Sequence, residues 1–374
     1  MSERHGMDGG LMELVAFIAA LMLISYVARE LEIWRISNEI ELYLRLFKAS
    51  RDSAVAFVAK KIAELFSRAR QQMDLSGVEE RVNILVDSVI IPVESMDPFG
   101  LVRKAKFLLL SVDKTLEEEV RRLVPLAGKS DVDTLVSLLH IARDLNSLYK
   151  LVNHNYTLAK RYKSYWLLLQ LEALLPFLAE VLRAYEGALD AMMKQIPIGD
   201  SVGPLVAHML ARELNATPLE LGVEDTEIYL AELDGRRLIL VKAEGPGSNV
   251  GRLDEAVRRV LATWGGSVTW AVMIDAMVKF EGEASGAIAE GFGVAIGGSG
   301  VEKYEVESVF TEHGVRTYAV LIKMSAEEAM TSLSKELYEA SVRAKERVKS
   351  FVREHVQPGS TVIVVGVGNS IGVR

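Results

Sequence analysis

The chain has no cysteine among its 374 residues, which excludes disulfides, thiolate zinc sites and cysteine nucleophiles. Histidine is scarce too: six residues, widely scattered, with no HExxH or similar pairing that would mark a histidine metal centre. Neither glycine nor proline occurs from Leu11 to Ser76, so nothing there punctuates a helix. Lysine and arginine (43) are outnumbered by aspartate and glutamate (51), and the net charge of −8 argues against a general nucleic-acid binder. The two strongest phosphate-binding fingerprints, GxxxxGK[ST] and GxGxxG, are missing. No internal repeat or low-complexity tract is present.

What is there is an ordinary folding composition, half hydrophobic and a quarter charged, on a length that suits two or three domains with real cores. The segment LMELVAFIAALMLISYVA (11–28) carries one charge, Glu13, near its end. With Gly9 and Gly10 it approaches the roughly 20 residues that a bilayer-crossing helix needs. Acids in the preceding segment, and Tyr26 at the −3 position of any cut after Ala28, favour an uncleaved anchor over a signal peptide. A buried core helix is the alternative. Arg29, Arg35, Arg45 and Lys48 follow the segment, against Arg4 before it, so the long C-terminal portion is expected in the cytoplasm.

After the anchor, Ile33, Ile36, Ile40, Tyr43, Phe47, Val55, Val58, Ile62, Leu65 and Ala69 recur at helical spacing. This predicts a helical stalk over 29–75, its apolar stripe covered by the rest of the chain or by a second copy in a homo-oligomer. An extended segment is expected around Val89–Val93, inside an otherwise helical domain over 76–195. From 196 to 374 the pattern becomes α/β. TEIYLAEL and RRLILVKA flank Asp234-Gly235, a two-residue hairpin signal. VTWAVMIDA, RTYAVLIKM and TVIVVGV are continuous apolar strands separated by helices. They predict a mostly parallel sheet with helices on both faces. A long helix is expected to start at Ser325, with Glu328 completing a capping box.

Three bends in this half carry candidate chemistry. In VKAEGPGSNVGRLDEAV (241–257), Gly245, Gly247 and Gly251 stand where a strand hands over to a helix starting near Leu253. Backbone N–H groups and the helix N-terminus there suit an anionic group or nucleotide, with Lys242 and Arg252 as counter-charge and Asn249 among the ligand-binding residues. A plain tight turn, with Asp254 and Glu255 as first-turn acids, is the alternative. The second bend is 275–307. Asp275 ends a strand, Glu281, Glu283 and Glu290 follow, and seven glycines lie between Gly282 and Gly300. Such carboxylates suit Mg²⁺ or Mn²⁺, held by Asp275, Glu283 and Glu290. They equally suit an acid–base pair drawn from Asp275, Glu281 and Glu283, or no more than solvated loop charges. The third is Gly366-Val367-Gly368-Asn369, a ligand-binding glycine turn at the carboxyl end of the last strand, where Asn369 serves as a hydrogen-bonding side chain or merely tolerates a left-handed turn.

Two other stretches are set aside. GDSVGP (199–204) resembles a serine-protease motif but joins two helical stretches, so Asp200 and Ser201 read as a helix cap. KLVNHNYTLAKRYKSYW (150–166) is basic and aromatic, but it is a single helical face in an acidic protein.

The motifs WRISNEIE, PVESMDPFG, PIGDSVGPLVA, KAEGPGSNVGR, DAMVKFEGEASGAIAEGFGVAIG and VGVGNSIGV together resemble an archaeal domain-of-unknown-function family, number 1512, over nearly the whole chain. The resemblance implies an archaeal source and a membrane anchor, and it supplies no activity and no functional residue. The chain departs from the family pattern at Leu253 and Asp254. Joined with the bends, these readings lead to an expected membrane-anchored cytoplasmic α/β protein with its site at the carboxyl rim of the sheet. The expected activity is metal-dependent hydrolysis, with a non-enzymatic membrane-tethered ligand sensor or scaffold as the competing reading.

Overall fold

Most of the glycine-free run lies in one continuous helix of 66 residues, α1 (Glu3–Arg68), which starts ahead of it. The computed structural model describes residues 3–68, 75–87, 98–295 and 301–373. The extended segment expected at Val89–Val93, and Gly297, Gly298 and Gly300 of the second bend, lie outside them. Four helices follow α1: α2 (Leu75–Asp87), α3 (Pro98–Leu123), α4 (Lys129–Arg161) and α5 (Tyr165–Lys194), the last running through Pro176. The described N-terminal half is therefore all-helical. Both α1 and α5 are long and apolar enough to cross a membrane. In α1 the decisive window has mean hydropathy 1.9 and none of it is buried, whereas 22% of the α5 window is.

The chain divides into two compact units, Met1–Arg51 with Leu145–Glu180, and Asp52–Asp144 with Val181–Arg374. The stripe on α1 is covered in each: Ile36, Ile40 and Phe47 are buried in the first, and Val55, Val58, Ile62 and Leu65 in the second.

The second unit holds a seven-stranded sheet. Its elements are α6 (Val202–Glu213), β1 (Thr217–Pro218), β2 (Thr226–Leu233), β3 (Arg236–Ala243), α7 (Leu253–Trp264), β4 (Val268–Val278), β5 (Ile288–Phe292), α8 (Val301–Glu312), β6 (Arg316–Met324), α9 (Ala326–Met330), α10 (Lys335–His355) and β7 (Thr361–Gly366). The strand order is β1-β2-β3-β7-β4-β6-β5. Only the central pairs β3–β7, β7–β4 and β4–β6 are parallel, and both edges are antiparallel. The sheet is thus mixed, which corrects the mostly parallel expectation. The continuous apolar strands do form the parallel centre, because only strands buried on both faces need that composition. One edge comes from β5, a short strand whose residues are exposed or half-buried, and the other from β1 and β2 on the hairpin β2–β3. Asp234 (φ 50°) and Gly235 (φ 73°) make that hairpin turn, both in the left-handed region that a two-residue loop of this twist requires.

Alternation along the strands sorts the core into two layers. Leu238, Leu240, Val272, Ile274, Val362 and Val364 pack against Val206 and Leu210 of α6 and Leu337, Ala344 and Val348 of α10. Ile239, Val241, Ala271, Met273, Ile363 and Val365 pack against Val257, Val260 and Leu261 of α7 and Val306 and Phe310 of α8. The capping box at Ser325 forms as expected: Glu328 N–H donates to the Ser325 hydroxyl at 3.0 Å, and Ser325 N–H to the Glu328 carboxylate at 2.7 Å. The helix it starts is short, however. Residues 331–334 leave it to bond Pro197 and Gly199, and Ser334 then caps α10. One long helix was expected; tertiary hydrogen bonds split it into two.

Candidate functional site

Parallel register places Lys242, Gly366 and Ile274 side by side, so β3, β7 and β4 deliver their carboxyl ends to one rim. Two of the three bends meet there. The Ser370 hydroxyl reaches the Glu244 carbonyl at 2.7 Å and that of Gly247 at 2.8 Å. Gly372 N–H donates to the Pro246 carbonyl at 3.0 Å. The glycines are needed for this lacing. A Cβ on Gly245 would lie 1.6 Å from the Val373 carbonyl oxygen, and one on Gly368 (φ 127°) 2.0 Å from that of Asp200. Gly366 approaches the Gly203 carbonyl in the same way, at 2.4 Å. What these three glycines admit is backbone rather than ligand. The turn 199–203 covers the rim, and its Asp200 carboxylate accepts from Asn369 N–H at 2.8 Å. Burial raises the Asp200 pKa. Ser201 accepts from Ile198 N–H rather than from α6, so it is not the side-chain cap the sequence suggested.

The outer side of the 248–252 bend, with Asn369, lines a cavity of about 350 Å³. Its other walls are α3 (Leu110, Asp113, Lys114, Glu117), α4 (Asp133, Val136, Ser137, His140) and the loop residues Glu224 and Asp225. The Ser248 hydroxyl joins the two sides, accepting from Ser137 at 2.9 Å and from the Asn369 amide at 2.9 Å. Asn249 braces its own loop, donating to the Glu244 carbonyl at 2.6 Å and accepting from Gly251 N–H at 3.1 Å. Most lining charges are already engaged. Arg252 pairs with Glu224 at 2.5 Å, Asp225 with Lys129 at 2.7 Å, and His140 lies 3.1 Å from Asp113.

Asp133 is different. It forms no hydrogen bond or ion pair among the described residues, although it is largely withdrawn from water. Burial, reinforced by the Asp225 carboxylate and opposed by the Lys129 ammonium, pushes its pKa up to about 6. The loop comes right up to it, since a Cβ on Gly247 would sit 2.8 Å from Asp133 Oδ2. Five carboxylates against one lysine and one arginine make the lining acidic. The anionic group expected at this bend therefore meets repulsion. The helix end offers it little either, because Asp254 in the first turn of α7 already takes Lys106 at 2.5 Å.

The remaining candidates lie elsewhere. Lys242 is buried on the α6 face, paired with Glu227 at 2.5 Å, and does not line the cavity. Asp275 is buried, its carboxylate accepting from Ala276 N–H at 2.7 Å. Glu281 is exposed. Glu283 closes a turn by accepting from Phe280 N–H at 2.8 Å and pairs with Lys323. Glu290, on the edge strand β5, accepts from Tyr318 at 2.6 Å and lies 3.3 Å from Arg347. The expected metal trio Asp275, Glu283 and Glu290 is not assembled, and no cluster of three acidic or histidine side chains fit for a metal occurs among the described residues. Gly282 (φ 89°), Gly286 (φ 76°) and Gly293 (φ 125°) serve the turns on either side of β5.

Sequence reasoning found one wall of the cavity, through Asn249, Gly251, Arg252 and Asn369, and missed the other. Asp133, Ser137 and His140 recur at three- and four-residue spacing, one face of a helix, but a polar face reads as solvated until something is seen to cover it.

A model of a domain of unknown function, DUF1512 N-terminal, matches residues 14–195, and the DUF1512 C-terminal model matches residues 198–374. A search of curated proteins finds no match to the chain.

Proposed function

The chain belongs to the DUF1512 family, and from that premise and the cavity's chemistry we propose a membrane-tethered protein that binds a small amine-bearing molecule. One observation carries this reading: Asp133 is a half-buried carboxyl that makes no hydrogen bond or ion pair among the described residues, at the wall of a polar cavity whose other acids are mostly paired. Holding such a group is costly unless a ligand repays the desolvation, and a charge-assisted hydrogen bond from an ammonium does so. The Ser137, Ser248 and Asn369 side chains add neutral hydrogen-bonding partners beside it. The tether is the span within 11–28, with the following residues on the cytoplasmic side that Arg29, Arg35, Arg45 and Lys48 favour.

The test is calorimetric titration of the full chain in detergent with putrescine, and with glycerol as an uncharged control. Putrescine binding that is lost in Asp133→Asn supports the reading. Equal heats for wild type and Asp133→Asn, or tighter binding of inorganic phosphate than of the diamine, would overturn it.

A further inference from the structure

Within the first unit, α4 descends along α1 and α5 returns beside it. Tyr156 donates to Glu41 at 2.6 Å on the way down. On the way back, Tyr165 bonds Glu32, and Arg35 pairs with Glu172 at 2.8 Å. The turn between them, Tyr162-Lys163-Ser164, is therefore brought to the α1 level just after Ala28, where the uncharged run ends. Arg29 fixes that level by stacking its guanidinium 5.3 Å from the centre of the Tyr165 ring. No residue from Met12 to Leu31 is covered, and the first fully buried residue of α1 is Ile36.

At this level three large aromatic side chains stand in the open: Trp34 (67% exposed), Tyr162 (67%) and Trp166 (74%). Arg29, Arg161 and Lys163 are exposed among them. Glu32 and Glu172 are engaged, which leaves Glu30 as the acid facing out. Trp34 lies six residues past Ala28, about 9 Å along a helix, at the outer boundary of a headgroup layer roughly 5–8 Å thick. Aromatic rings with basic side chains at that depth are what a membrane–water interface with anionic lipid selects. The turn is also rigid. Ser164 N–H donates to the Ala159 carbonyl at 2.9 Å, and Lys163 takes a left-handed φ of 49°, a position that ordinarily favours glycine.

Resting on the tether reading above, we propose that the α4–α5 turn is a second bilayer contact, docking Tyr162, Lys163 and Trp166 into the headgroups of anionic lipid beside the span. The span alone leaves a single helix free to swivel and tilt. A second contact fixes the orientation of the unit above the membrane.

The absence of cysteine makes the test clean. Ile18→Cys, Tyr162→Cys and Lys335→Cys full-chain proteins each take one environment-sensitive label. They are reconstituted in vesicles of phosphatidylglycerol and phosphatidylcholine in equal parts, with the phosphatidylcholine brominated. Quenching at 18 and 162, but not at 335, is expected. Arg161→Glu and Lys163→Glu, or omission of phosphatidylglycerol, should lower quenching at 162, with the docking equilibrium constant falling at least about fivefold for each basic side chain lost, and leave 18 unchanged. Lys163→Gly relaxes the turn while removing the charge, so weakened docking in that variant reports lipid contact and not misfolding. Quenching at 18 with 162 no more quenched than 335 overturns the proposal and leaves the tether standing. No quenching at either overturns both. Shielding of 162 in detergent that grows with protein concentration would mean that a second copy covers the turn, and would overturn the lipid assignment.

Discussion

The two glycine-rich bends of the α/β half, 244–252 and 277–293, look alike in sequence: each follows an apolar strand, and each mixes glycines with acids. In space they part. The first is roofed by α3, α4 and the C-terminal turn and lines a cavity, whereas the second folds back as edge strand β5 on β6. At Gly245 an added Cβ meets backbone at 1.6 Å, while at Gly282, Gly291 and Gly293 it meets nothing within 4 Å. Their acids differ in the same sense. Glu283 and Glu290 have partners supplied by β6 and α10, but Asp133, brought to the first bend by a distant helix, has no hydrogen-bond or ion-pair partner among the described residues. Glycine density therefore marks a bend and does not say what approaches it. Coverage by other elements decides whether a bend becomes a site.

The comparison breaks most sharply at its glycines. Gly245→Ala should lose about 3 kcal/mol or more, since backbone rather than a flexible side chain must move. Gly291→Ala should change stability by less than about 1 kcal/mol, in either direction. Urea denaturation of both variants measures the contrast, and equal losses would refute it. Next in size is Lys242→Met, which leaves Glu227 with only the Tyr229 hydroxyl among the described residues on the α6 face. It should cost about 3 kcal/mol without touching amine binding, because Lys242 stands outside the cavity.

Asp133→Asn should act through pH. The folded pKa of Asp133, about 6, lies above its ordinary value of 3.8, so the folded state holds the proton more tightly. Its contribution to stability is fully present below about 3.8 and is lost as pH rises through about 6. The variant should thus be more stable than wild type above that range, by on the order of 1 kcal/mol after allowance for solvent screening, with the difference gone in acid. Thermal melts across the range check this, and a constant offset would contradict it. Smallest is Glu283→Gln, which breaks a partly exposed pair with Lys323 and should cost at most about 1 kcal/mol, with no effect on binding.

Much of the fold was legible because its signals are local. The glycine-free run gave α1, Asp234-Gly235 the hairpin, and uninterrupted apolar runs the parallel centre. The mixed edges escaped because β5 is short, half-polar and glycine-bearing, and a strand of that kind has no pattern apart from its neighbour. The split between α9 and α10 escaped because residues 331–334 answer to Pro197 and Gly199, far away in sequence. The site was half legible for the same reason. Gly247 and Asn249 mark the bend locally, but what makes it a cavity is its cover by α3 and α4, which stand far away in sequence.

The most direct measurement follows putrescine affinity from about pH 5 to about pH 8 in wild type and Asp133→Asn. The account predicts that wild-type affinity rises as pH passes about 6 and Asp133 ionises, and that the variant, which keeps His140 and the other lining acids, loses the rise that Asp133 contributes. The same pH profile in both proteins would show that Asp133 does not hold the ligand, and the proposed binding site would fail with it.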